Sequence, residues 1–165
     1  MGGAAQLIEV RAIDVDDHGW VERVQAASWD GAAARRGELI PLAGLPGFVA
    51  RMDGERVGLA TYAIRADECE VVTIESRVEG RGVARALLDA VRGIAESAGC
   101  RRMWLVTSND NVRALALYQR WGMDLVAFRR GAIDDSRRRL KPSIPERNVD
   151  GVPIAHELEL ELRLG

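Results

Sequence analysis

Between Gln6 and Ile13 the apolar residues Leu7, Ile8, Val10 and Ala12 are interleaved with polar ones, which predicts an opening strand. Asp14 to Asp17 then offers several side chains able to cap a helix, and Trp20, Val21, Val24 and Ala27 recur on one helical face as far as Trp29. A second short helix is predicted from Ala32 to Leu39. After Gly44-Leu-Pro-Gly47, the runs Phe48 to Met52 and Arg56 to Arg65 flank Asp53-Gly54, a dipeptide that tolerates the positive φ of a tight hairpin.

Glu68 to Ser76 is β-branched and apolar and reads as a strand. It leads through Arg77-Val-Glu into Gly80-Arg-Gly-Val-Ala84, after which Val83, Leu87, Leu88, Val91, Ile94 and Ala98 recur at helical spacing. Arg101 to Thr107 predicts a further strand, Asn111 to Trp121 a helix stopped by Gly122, and Asp124 to Phe128 a short strand. Ala155 to Leu164 alternates leucine with charge, the pattern of a strand with one wet face. Between these last two strands, Arg129 to Val152 reads as a long loop, and loops of that length in compact domains are usually functional or disordered. The expected architecture is a single α/β (α+β) domain over residues 1–165, with a mixed, mainly antiparallel sheet flanked by helices.

With 47% hydrophobic and 29% charged residues among 165, the chain can bury a self-sufficient core. A net charge of -2 argues against non-specific nucleic-acid binding, and no apolar run approaches the ~20 residues of a membrane span. Met1 to Gln6 lacks the charged and apolar regions of an export signal. Cys69 and Cys100 have no CxxC or Cys/His spacing and His18 and His156 no ligand spacing, so buried thiols, no metal and a cytoplasmic setting are expected. Lys141 is the sole lysine. From Arg129 to Asp150 seven basic residues stand against four acidic ones. That segment reads as a lid favouring an anionic substrate or as a solvated loop, and its length and its place before the last strand favour the lid.

Two stretches carry chemistry. In Glu79-Gly80-Arg81-Gly82-Val83-Ala84-Arg85 the glycines let a strand turn into a helix whose first N–H groups have no intrahelical partner. Free donors and the helix macrodipole suit a phosphate or pyrophosphate there, although the same glycines also make an ordinary turn. Arg85 replaces the third glycine of a GxGxxG fingerprint and no GK[ST] follows, so dinucleotide and P-loop readings are dismissed. In the second stretch Asn111 stands at or near a helix N-cap, with Tyr118 about two turns later on nearly the same face.

Together these stretches resemble the GNAT superfamily of N-acetyltransferases. The family signature [QR]-x-x-G-x-[GA] stands here as Glu79-Gly-Arg-Gly82-Val-Ala84. Its later part, N-x-x-A-x-x-L-Y with a glycine beyond, stands as Asn111-Val-Arg-Ala114-Leu-Ala-Leu117-Tyr118 and Gly122-Met123. The order of predicted elements fits that family over nearly the whole chain. Glu79 departs from its Gln or Arg, with Arg81 and Arg85 close enough to offset the charge.

The resemblance implies acetyl-CoA as co-substrate and acetyl transfer to a primary amine of a small molecule or peptide. It implies that strand 68–76 splays from the next strand, exposing main-chain groups of Thr73 and Ile74 to the pantetheine arm. The N–H groups of Arg81, Gly82, Val83, Ala84 and Arg85 would hold the pyrophosphate, with Glu79, Gly80 and Asn111 completing the cofactor set. Tyr118 would protonate the leaving thiolate, its phenol being neutral at physiological pH. For the base, Glu70 sits where some family members carry one and Glu75 lies on the same strand. Five residues apart, they face opposite sides of a regular strand, and a bulge would re-aim one. Trp29 either packs or lines the acceptor pocket. Two other readings compete: a non-catalytic acyl-CoA-binding module, against which Tyr118 counts, and a dimerisation module pairing Leu158 to Leu164 as an edge strand. A homodimer is compatible with the enzyme.

Overall fold

The computed structural model describes residues 6–165, so the leader reading of Met1 to Gln6 falls largely outside the described residues. The opening strand is β1 (Ile8–Ala12). The Asp14 side chain accepts from the Asp16 N–H to start a short 3-10 turn, and α1 (His18–Trp29) follows, ending where Asp30 and Gly31 turn to φ 53° and 76°. From there the chain departs from the predicted helix over Ala32 to Leu39. It forms a hairpin of β2 (Ala32–Arg35) and β3 (Glu38–Pro41), because Arg36 and Gly37 take φ 51° and 75°, the two positive values a type I′ turn demands.

The predicted hairpin around Asp53-Gly54 is β4 (Gly47–Met52) and β5 (Glu55–Arg65). It is followed by β6 (Glu68–Ser76), α2 (Val83–Ser97), β7 (Arg102–Ser108) and α3 (Val112–Trp121). The chain ends through β8 (Asp124–Arg129), α4 (Ala132–Arg139) and β9 (Glu157–Arg163). All strands but β2 and β3 join one sheet in the order β1-β4-β5-β6-β7-β9-β8, antiparallel except between β6 and β7.

The two faces of the sheet bury different elements. On one, α2 lays Val83, Leu87, Leu88, Val91 and Ala95 against Ala50, Ala60, Val71, Leu105 and Leu160, all buried. Gly58 permits that approach: a Cβ there would stand 2.6 Å from Val83 Cγ1 and 3.0 Å from Leu87 Cδ1. On the other, Val21 and Val24 of α1 pack on Val49 and Leu59.

The C-terminal part differs from its sequence pattern in three ways. The charged face of β9 is dry, with Glu157 and Glu159 exposed by 1% and 5%, because the β2–β3 hairpin and Arg102 and Arg129 cover it. Nor is β9 an edge, since it pairs with β7 on one side and β8 on the other. The edge is β8, with Leu125, Val126 and Phe128 exposed. The presumed loop contains α4, and Arg137 of that helix donates to the carbonyls of Ile144, Pro145 and Ile154, pinning the segment down. Cys69 and Cys100 are buried free thiols, and no described helix is long and apolar enough to cross a membrane.

Candidate active site

β6 and β7 pair in parallel only over Glu68↔Arg102, Cys69↔Met103 and Glu70↔Trp104. Beyond Glu70 they part, and β6 holds one extra residue there: its register with β5 passes from Thr61↔Thr73 to Tyr62↔Val71, leaving Val72 as a bulge. Such an insertion bends its strand. The gap opens into a cavity of about 730 Å³ between Val71 and Val72 on β6 and Val106, Thr107 and Ser108 on β7. The end of α1, from Ala26 to Asp30, forms another wall, as do Ala33, Ala34 and Arg35 of β2 and the segment after α4, including Lys141, Ile144 and Pro145. Trp29 therefore lines the cavity.

The bulge also re-aims the two glutamates. Glu75 pairs with Leu59 and Glu70 with Ala63, positions an even number apart on β5, so both carboxylates lie on the face that α1 and β2 cover. Arg35 donates to both oxygens of Glu70, Nε to Oε1 at 2.5 Å and Nη2 to Oε2 at 2.7 Å, and Glu70 lines the cavity with both oxygens engaged. Glu75 stands just behind the wall. Ser28, which lines the cavity, donates to Glu75 Oε1 at 2.6 Å, while Oε2 is buried without a hydrogen bond.

The N–H of Arg77 donates to the Val57 carbonyl at 2.8 Å, which fixes the alternation of the β5–β6 ladder. Main-chain groups of Glu75 and Thr73 then point toward β5, and those of Ile74 toward the open edge. Thr73 is buried and its hydroxyl lies 2.6 Å from that of Thr61. Of the two residues expected to meet a pantetheine arm, Ile74 offers main chain to the cleft and Thr73 braces the strand beside the bulge.

At the end of β6, Gly80 and Gly82 adopt φ 68° and 79°, and Gly82 is the N-cap of α2 without any side-chain capping bond. The first N–H groups of the helix are thus left to a ligand or water. Val83 contributes only main chain, its side chain being core, Ala84 is half-buried, and Arg81 and Arg85 are exposed. The charge of Glu79 is met by a residue the sequence reading did not name: Arg113 of α3 donates to Oε1 at 2.6 Å.

On α3 the two expected residues separate. Asn111, the N-cap, lines the cavity and donates to Thr107 Oγ1 at 3.2 Å. Tyr118 lies in the core with Val71 and Leu105 rather than on the cavity wall; burial pushes its phenol up to about 12, and among the described residues its hydroxyl has no hydrogen-bond partner. Glu157 and Lys141, both on the lining, were not singled out as site residues from the sequence. Glu157 was read as wet, and Lys141 donates its Nζ protons to the carbonyls of Trp29 and Ala32, tying the segment after α4 to the end of α1. Among the described residues no cluster of His, Cys, Asp and Glu could hold a metal ion.

Residues 12–123 match the profile of the acetyltransferase (GNAT) family. The chain belongs to the GNAT acetyltransferase family. It is 41% identical over 115 residues to the uncharacterized protein YdhI of Bacillus subtilis strain 168, covering 69% of this chain and 71% of that one. To the spermine/spermidine N(1)-acetyltransferase of the same organism it is 31% identical over 81 residues, 42% of this chain and 53% of the relative. A GNAT family acetyltransferase from Elizabethkingia anophelis, solved with acetyl-CoA bound, superposes with a TM-score of 0.66 at 15% identity, over 95% of this chain and 98% of that structure. That likeness is one of fold: a mixed, mostly antiparallel sheet flanked by helices, opened here between β6 and β7 as in the GNAT expectation.

Proposed function

We propose that the protein transfers the acetyl group of acetyl-CoA directly to a primary amine of a small molecule. The observation that carries this reading is a continuous path: uncapped N–H groups at the start of α2, then the open edge of β6, then the cavity beside the bulge. The N–H groups of Arg81 to Arg85 hold the pyrophosphate, helped by the positive end of α2. Gly80 and Gly82 give the turn its shape, and Arg113 keeps Glu79 from repelling the phosphates. Ile74 pairs with the pantetheine arm, and Asn111 lies beside the thioester end.

The acceptor arrives as an ammonium and must lose a proton before it attacks. Glu70 is occupied by Arg35, whereas Glu75 keeps one oxygen without a hydrogen bond, with Arg77 Nε 4.0 Å from it, and reaches the cavity through the Ser28 hydroxyl, so the proton passes from the amine by way of Ser28 to Glu75. The neutral nitrogen then bonds to the acetyl carbon and the C–S bond breaks. A phenol near 12 lies above a thiol near ~8.5, so handing over its proton outright would run roughly 4 to 5 kcal/mol uphill. Tyr118 instead donates a hydrogen bond to the departing sulfur, and the thiolate takes the proton released by the attacking nitrogen.

The acceptor is a compact amine. Trp29, Val72 and Ile144 give the cavity apolar stretches, set among the polar groups of Thr107, Asn111 and Glu157. A long polyamine, as in the name of the B. subtilis relative, calls for several separated unpaired carboxylates, and of the three on the wall Glu70 is already held by Arg35. An anionic substrate is not favoured either, because Arg137 and Lys141 are committed to main-chain carbonyls. The test is calorimetric titration with acetyl-CoA followed by thiol release with a panel of primary amines. Amine-dependent release supports the reading, and tight cofactor binding with no release for any amine would make the protein an acyl-CoA-binding module.

A further inference from the structure

Three glutamates of β9 share one face of the sheet, and their environments differ in a graded way. Glu161 is bound by Arg102 Nε. Glu159 is held by Arg102 and by Arg129 Nη2, the latter at 2.8 Å, and these arginines keep its carboxyl below the usual range despite burial. Glu157 lies at the cavity end of the row, opposite Ser108 of β7, with 1% of its surface exposed. Its two oxygens receive one donor, the main-chain N–H of Arg36, at 3.0 and 3.2 Å. Arg129 Nη1 pairs with it only at 3.8 Å, an ion pair beyond hydrogen-bond reach, and that nitrogen is itself buried without a hydrogen bond. A carboxylate has about four acceptor positions, so about half of those on Glu157 are unfilled.

We propose that Glu157 is the seat of the acceptor's ammonium group, an inference that rests on the acetyltransferase reading above. A buried anion whose nearest cation stands too far off to hydrogen-bond is costly unless further donors complete it. Burial pushes the Glu157 carboxyl above its ordinary value even with the Arg36 N–H and the charges of Arg129, Arg35 and Arg36 opposing, so these groups do not offset its desolvation. The other carboxylates on the wall are differently placed: Glu70 has both oxygens on Arg35, and Asp30 is exposed at the rim. A primary ammonium brings three N–H donors and one positive charge, which matches what Glu157 lacks. A quaternary ammonium brings no donor, and an alcohol no charge. Glu157 thus selects amines by charge and donor number.

The test compares wild type, Glu157→Gln and Glu157→Asp with butylamine, phenethylamine and tyramine as acceptors. For the amine that wild type turns over best, Glu157→Gln raises KM at least tenfold with a smaller change in kcat and unaltered acetyl-CoA affinity, and Glu157→Asp recovers part of the loss. The Gln variant also resists urea better than wild type at pH 7, because a buried charge has gone while its carbonyl still accepts from Arg36; a residue needed only for folding would weaken the protein. KM within twofold of wild type overturns the proposal. Should wild type release thiol with none of the amines, the transfer reading falls, and calorimetry of the same amines on CoA-loaded protein then decides the seat. Binding that is lost in Glu157→Gln supports it, whereas equal binding, or none, overturns it.

Discussion

Arg35 and Glu70 meet in a two-pronged ion pair, 2.5 and 2.7 Å, with their side chains 10% and 7% exposed, and this contact ties the β2–β3 hairpin to the sheet beside the cleft. The Arg36 N–H on Glu157 and the Ala32 carbonyl under Lys141 tie the same hairpin down, but among the described residues Arg35 makes its one buried two-pronged ion pair. Arg35→Ala would leave a buried carboxylate unpaired, and a loss of about 3 to 5 kcal/mol is expected in urea unfolding. The double variant Arg35→Ala/Glu70→Ala should lose less than the two single losses combined. Additive losses would show that the pair does not act as a unit.

Tyr118 separates packing from chemistry. Its ring is part of the core, but its hydroxyl has no hydrogen bond among the described residues, so Tyr118→Phe should change stability by less than about 0.5 kcal/mol. Turnover should fall tenfold or more while acetyl-CoA affinity, read by calorimetry, stays close to wild type. Equal losses in both would make the tyrosine a packing residue.

At Gly82 the backbone and the ligand make separable demands. Its φ of 79° costs a side chain about 1 to 2 kcal/mol, yet a Cβ would meet nothing closer than Ile8 Cδ1 at 3.9 Å, so Gly82→Ala should fold with that modest loss. Gly82→Asp adds a negative charge where the phosphates are to sit and should weaken acetyl-CoA binding at least tenfold relative to Gly82→Ala. Unchanged affinity would contradict the placement of the pyrophosphate.

Elements whose signals are local were legible from sequence: the positive φ of Asp53-Gly54, the apolar stripe of α2, the glycine after α3. The stretch from Ala32 to Leu39 was not, because it consists largely of helix formers and is turned into a hairpin by Arg36 at positive φ and by a partner for Arg35 that lies 35 residues away. Helix α4 escaped notice for a related reason: only Ile133 and Ser136 are buried on it, and Arg137, which holds it, looks like one more surface charge. The same holds within the site. Gly82, Ala84, Asn111 and Tyr118 stand at signature spacings, whereas the grip of Arg113 on Glu79 and the place of Glu157 at the cavity depend on strands and helices remote in sequence. Charged residues are usually exposed, so the alternation in β9 pointed to water where the fold supplies arginines.

Acid should expose one further electrostatic joint. Asp17 is fully buried and accepts from Arg51 and, at 2.8 Å, from Arg56 Nε, so it joins the start of α1 to the β4–β5 hairpin. Burial alone would raise its pKa, but the hydrogen bonds from Arg56 and the Asp14 N–H, with the charges of Arg51 and Arg56, hold it below the ordinary value of 3.8. As pH falls through the range between the unfolded and folded values, the unfolded chain takes up the proton first, so the stabilisation present above about pH 4 is lost progressively below it. At pH 7, Asp17→Asn should cost about 3 kcal/mol, since two guanidinium groups lose their buried partner. The gap between wild type and variant should narrow steadily from pH 4 toward pH 2.5 when urea midpoints are compared. Curves that stay parallel over that range would mean that the charge on Asp17 is not what holds the two elements together.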